Sequence, residues 1–291
     1  MLRFPTIALA LTALSAIPAA AQHDMAHMAM GVSALAHKQI DSVAHAAHAL
    51  TTPAAATAAG YKPVFGWIPT MGEHWVDESH MTKAAQSSLA TPDNLMFSRI
   101  NGRDSLVGAA FAYVTAAGDT AVPKLFDGTP PWHEHPDLAP AGQTIVMLHV
   151  WFVPSPDGPF AGTNPNLPFW AVGLAAPDST RMHDAAFATM VRRASLALGD
   201  LADSSAIFPL LSRRPDIAAA VKPHRDSVRA LVEQFRGSQD GKNPQVWARA
   251  AEQTAAQWDA ILGIYRSAAR TDDVRARIDR RVATLMGEHA H

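Results

Sequence analysis

The chain has no cysteine, little charge and few residues that mark a known catalytic template, and each absence removes a class of chemistry. With no thiol among 291 residues, disulfides, zinc–thiolate sites, iron–sulfur clusters and thiol nucleophiles are excluded. Any metal must then be held by His, Met, Asp or Glu. Charged residues make up only 17% of the chain, as 24 basic and 26 acidic side chains with no long block of either sign. That balance carries no electrostatic footprint for nucleic acid. There is no Gly-x-Ser-x-Gly elbow, phosphate-binding glycine loop, His-Glu-x-x-His or dinucleotide fingerprint. The expectation therefore leans away from an enzyme. The apolar run from Ile7 to Ile17 falls short of the ~20 residues that span a bilayer, so no membrane span is expected once the leader is removed.

That run belongs to a different pattern. Arg3 supplies one positive charge, Ile7 to Ile17 an apolar stretch, and Ala19-x-Ala21 the small side chains that signal peptidase accepts. Residues 1–21 read as a cleavable secretory signal, with the mature protein starting near Gln22 in the periplasm or outside the cell. No cysteine follows for lipid attachment. With 48% hydrophobic residues, the remaining chain can bury one large core or two modest ones.

Three further segments follow. In residues 22–60 a His/Met tract (His23, Met25, His27, Met28, Met30) precedes an amphipathic helix from Val32 to Leu50, which Thr51-Thr52-Pro53 stops before an Ala-rich connector. Residues 61–174 are rich in Pro, Gly, Asn and aromatics, and short apolar runs between turn signals read as strands. Asn94 to Ile100 and Ser105 to Thr115 form a strand pair around Asn101-Gly102, a dipeptide suited to tight hairpins. Thr144 to Val153 is apolar on both faces and is placed centrally in a sheet. Residues 175–291 read as three or four helices, including Arg181 to Leu201, Asp216 to Phe235 (with Pro223 a point of division), Asn243 to Arg266 and Asp272 to Leu285. The fold class is α+β: an N-terminal helix, a central antiparallel β-sandwich or barrel-like domain, and a C-terminal helical bundle. The sequence leaves the oligomeric state open.

The β-rich segment carries an ordered set of short motifs: Met71-Gly72-Glu73-His74-Trp75-Val76, Leu106-Val107-Gly108, Leu125-Phe126, Leu148-His149-Val150-Trp151 and Asn164-Pro165-Asn166. In order and spacing they resemble a family of exported bacterial proteins of unknown function, typified by a Thermus protein under extracytoplasmic stress-sigma control. The resemblance covers roughly residues 61–170, with Trp75 where the family has Tyr. It implies a compartment and a fold region but carries no reaction.

The chemistry that stands out lies in the 14 histidines. His74 and His149 fall in the two strongest motifs, and Trp132-His133-Glu134-His135-Pro136 is a His-x-His pair that aims both rings to one side of an extended segment. If the motifs meet across the sheet, His74, His149, His133 and His135 form a site for Zn, Cu, Ni or Fe, with Glu73 or Glu134 as an oxygen ligand or base. Three other groups are weaker: His37, Asp41, His45 and His48 along one helix face, the N-terminal His/Met tract, and His289 with His291. His80 lies in the β-rich segment as well. The first expectation is an exported protein that binds a transition metal through the β-rich histidines. The alternative is a non-catalytic envelope or stress module whose cleft, lined by Trp67, Trp75, Trp132, Trp151, Phe152, Phe160, Phe169 and Trp170, holds a small apolar or saccharide ligand.

Overall fold

A computed structural model describes residues 32–79, 88–119, 121–135, 138–238 and 242–287. The signal segment, the His/Met tract, His80 and the C-terminal histidines lie outside them. Among the described residues, chain order begins with helix α1 (Ala34–Ala46), a 3-10 turn (Ala47–Leu50) and the short helix α2 (Pro53–Ala58). Six strands follow: β1 (Lys62–Ile68), β2 (Gly72–Val76), β3 (Asn94–Ile100), β4 (Arg103–Ala116), β5 (His133–His135) and β6 (Gln143–Trp151). The C-terminal part is helical: α3 (Leu167–Ala171), α4 (Ala185–Ala202), α5 (Pro209–Ser212), α6 (Pro215–Gly237), α7 (Pro244–Ala268) and α8 (Asp272–Leu285).

The α+β class with an antiparallel sheet is as expected. Its sheet is a single open layer in the order β1-β2-β3-β4-β6-β5, all neighbours antiparallel, where a sandwich or barrel would need a second layer or closure. The β3–β4 hairpin turns at Asn101 and Gly102, both at positive φ (50° and 77°), the backbone of a tight primed turn. Strand β6 is buried on both faces but stands next to last, because β5 adds only three residues at its outer side.

Helix starts follow local chemistry. Ser33 accepts a hydrogen bond from Ala36 N–H, Asp184 from Ala186 and Phe187, and Thr271 from Val274, each satisfying an orphan donor of the first turn. Pro53, Pro215 and Pro244 open α2, α6 and α7, where a missing N–H costs nothing. Pro223 does not divide α6, which runs unbroken through it.

Two faces of the sheet are covered differently. On one, Ala36, Ile40 and Val43 of α1 pack against Phe111, Leu148 and Val150, with Phe126 and Phe160 closing the cluster. On the other, Met96, Ala110, Ala112, Met147 and Trp151 pack with Leu167. The helices bury their own core of Val191, Leu198, Val221, Trp258, Ile261 and Tyr265, and Ile68 and Met71 from the β1–β2 turn join it. That turn is locked in place. Thr70 donates through Oγ1 to Leu285 O, Thr70 O accepts from Asn164 N–H, and a methyl group added at Gly199 of α4 would lie 2.5 Å from Pro69 Cβ.

Candidate metal centre

Strand alternation decides which histidines share a face. His74 is in register with Met96, Met96 with Gly108, and Gly108 with Trp151. One row along, Ala110 faces His149, and on the far edge His133 and His135 pair with Met147 and Ile145. Side chains directly opposite one another in a ladder point the same way. All four predicted histidines therefore lie on the face opposite α1.

They also meet. Nε2 of His74 stands 3.3 Å from Nε2 of His149, with ring centroids 5.3 Å apart. His133 is 5.1 Å from His149 and 4.9 Å from His135 by the same measure, so the rings form a file running from β2 to the β5 edge. Strands β2 and β6 are separated by β3 and β4, and the two imidazoles reach each other only because β4 carries Gly108, Ala110 and Ala112 beneath them. Gly108 is the tightest point: a Cβ there would lie 2.5 Å from Met96 Cε and 2.6 Å from Val150 O. Gly108→Ala must displace the backbone of β6 beside His149. We expect it to lower stability by about 2 kcal/mol, as overpacking typically does, measured by urea denaturation.

His149 is held by a loop. Its Nδ1 lies 2.7 Å from Gly162 O; a carbonyl only accepts, so Nδ1 carries the proton and Nε2 presents a lone pair. The Asn164-Pro165-Asn166 motif builds that loop, since both Asn side chains donate to Pro154 O at 3.0 and 3.1 Å. Trp151 ties its two ends, with Nε1 donating to Ala161 O and N–H to Pro159 O. An orienting backbone acceptor on the distal nitrogen is the usual support of a metal-ligating imidazole.

Both central rings are shut away from water, His74 at 6% and His149 at 1% exposure. Burial, and then the neighbouring His135, lowers the His74 pKa to about 4. Burial likewise pushes His149 well below the ordinary imidazole range, aided by His133, His74 and His135 and opposed by the Gly162 hydrogen bond. Both are neutral at physiological pH, the form that binds metal. The buried amide of Asn94, in register with Ala110, has a donor Nδ2 with no hydrogen-bond partner among the described residues. In the arrangement as it stands, no group of three His, Asp or Glu side chains among the described residues is set to hold an ion. The formed element is the His74–His149 pair, with the β5 rings edge-on beside it.

The two carboxylates expected to help do not reach. Glu73 precedes His74 in the strand and so faces the other way, where its Oε2 accepts from Trp75 Nε1 at 2.8 Å. Glu134 pairs with Val146 on the α1 side and is exposed. The expected stripe of His37, Asp41 and His45 lies on α1 away from the buried Ala36, Ile40 and Val43, and His48 falls in the 3-10 turn that follows. His37 is occupied by Ser33 O at 2.9 Å.

A cleft of about 650 Å³ adjoins the centre, lined by residues including Ser33, Asp127, Pro131, Pro159, Phe160 and Ala161. Ala161 neighbours Gly162, and Pro131 O lies 3.5 Å from His133 Nδ1. Of the aromatic set named from the sequence, Phe160 alone lines this cleft; Trp151 and Phe169 are fully buried core. Residues that the sequence left unmarked are Gly162, whose carbonyl orients His149, and Met96 and Met147, which share the imidazole face. The two-residue period of β3 and β6 places both on that face once strand limits and register are known. No family model matches the chain, and no curated protein or solved structure matches it.

Proposed function

We propose that this is an exported protein whose β-sheet binds one transition-metal ion through Nε2 of His74 and His149, with His133 and His135 as outer ligands. The observation that carries this reading is the 3.3 Å separation of the two Nε2 atoms. Two nitrogens each about 2.1 Å from a tetrahedral ion stand about 3.4 Å apart. Burial, neutrality and the Gly162 acceptor all favour coordination by this pair. The His74 ring donates from Nε2 to the His149 lone pair; with its proton on Nδ1 instead, His74 would present a second Nε2 lone pair to the ion. His133, whose ring centroid lies 5.1 Å from that of His149, would supply the third nitrogen. The motif resemblance to exported proteins of unknown function fits the same reading, and the leader at residues 1–21 supports the compartment.

The reading is one of binding. The test is elemental analysis of tag-free protein purified from the periplasm. We expect close to one ion per chain in the wild type, and loss of the ion in both His74→Ala and His149→Ala. Metal retained in both variants, or absent from the wild type, would overturn the assignment.

A further inference from the structure

We propose that the ion selected by this face is monovalent copper, with the thioether of Met96 as a ligand beside His74 and His149; this rests on the metal-binding reading above. Charge favours a monovalent ion. Among the described residues the imidazole face offers neutral donors, since Glu73 is engaged with Trp75 on the other face and Glu134 is exposed beyond the sheet. A buried ion with neutral ligands keeps its full charge, and the cost of removing an ion from water rises with the square of that charge. A monovalent ion is therefore disfavoured about one quarter as much as a divalent one of like size.

Ligand chemistry favours a soft ion. Met96 is fully buried and is the cross-strand partner of His74. Its terminal methyl lies 2.5 Å from where a Gly108 Cβ would be, which places the thioether over β4, between the strands that supply the two imidazoles. Met147, 8% exposed, occupies the same face in register with His133. Thioether sulfur is a soft donor that suits monovalent copper and adds little for zinc. The separation of the two nitrogens leaves room for the sulfur. At the observed 3.3 Å, two nitrogens about 2.05 Å from one ion subtend an angle of about 107°. That angle is bent, and it leaves an open side for further ligands. Gly108 is what admits the Met96 side chain there.

The test uses tag-free, metal-free mature protein titrated without oxygen with monovalent copper against a chromogenic copper(I) chelator, and in parallel with zinc ion against a chromogenic zinc chelator. We expect one copper per chain withdrawn from the chelator. We also expect Met96→Leu to weaken copper binding by about tenfold or more while leaving zinc binding unchanged. Met→Leu nearly conserves volume, and circular dichroism checks that the variant is folded. X-ray absorption at the copper edge of the wild-type complex provides the second readout, with nitrogen and sulfur scatterers expected in the first shell. If neither ion binds, the metal-binding reading fails and this inference with it. If zinc binds one per chain and copper does not, or copper binds with no sulfur scatterer and no Met96 dependence, the copper proposal alone is overturned.

Discussion

Arg225→Ala is expected to destabilise the protein by about 3–5 kcal/mol, the range for leaving one partner of a buried ion pair alone. Asp200 of α4 has a side chain only 1% exposed, and Arg225 of α6, at 15%, is its charge partner. The contact is bidentate: Nε donates to Oδ2 at 2.6 Å and Nη2 to Oδ1 at 3.1 Å. Nη2 also reaches the Tyr265 oxygen at 3.1 Å, joining α7 to the same network. Burial raises the Asp200 pKa, and the Arg225 hydrogen bond and charge oppose that rise. Without Arg225 the carboxyl has burial and little to offset it, so its folded-state pKa climbs further above the unfolded value. A carboxyl whose folded pKa is raised loses stability as pH rises through that pKa. The deficit of Arg225→Ala relative to wild type is therefore largest at neutral pH and narrows on acidification. Urea denaturation at two pH values measures both features. The double replacement Asp200→Leu with Arg225→Leu should recover most of the loss, because no buried charge remains. A loss near zero in the single variant would mean that the network contributes nothing to holding α4, α6 and α7 together.

The second large effect is acid sensitivity of the metal-free protein. In the unfolded chain an imidazole takes up its proton near pH 6.5, whereas folded His74 resists it down to about 4 because of burial and His135. Between these values the unfolded state binds more protons, so stability falls as pH falls and is fully present above about 6.5. For His74 alone the fall amounts to about 3 kcal/mol across the interval. His149 is shifted in the same direction by the same principal cause, so it adds to the slope. Denaturation midpoints of metal-free protein at pH 7.5, 6 and 5 give the profile, and His74→Asn, which cannot take a proton there, should lessen its slope, with the His149 share remaining. Equal stability at pH 7.5 and 5 would show that His74 is not held neutral by its surroundings.

Much of the architecture follows from local chemistry. The β3–β4 hairpin is written in Asn101-Gly102, since few residues other than Gly and Asn adopt positive φ without strain. Helix α8 has the bounds expected for it, Asp272 to Leu285, because Thr271 caps it and two Asp residues fill its first turn. Helix α6 departs from expectation at Pro223. A missing N–H and a clash with the preceding turn disfavour that position, yet Val221 on one side and Val228, Leu231 and Val232 on the other are buried and hold the helix on one line. Packing outweighs propensity there.

The candidate site divides the same way. The sequence by itself determined the donor inventory, with no thiol, four histidines in and beside two motifs and a His-x-His pair, because residue type and strand period are local properties. It also contained the exclusion of Glu73, since neighbours in a strand point to opposite faces. Only the tertiary structure decided that His74 and His149 touch. Their strands lie three positions apart in the sheet, and their meeting depends on strand order, on the register of Gly108 and Ala110 beneath them, and on a loop that brings Gly162 O to His149 Nδ1. None of those three is a local property. Each is fixed by pairing between segments that are distant in the chain, and one residue of slip in register would send every imidazole on a strand to the other face.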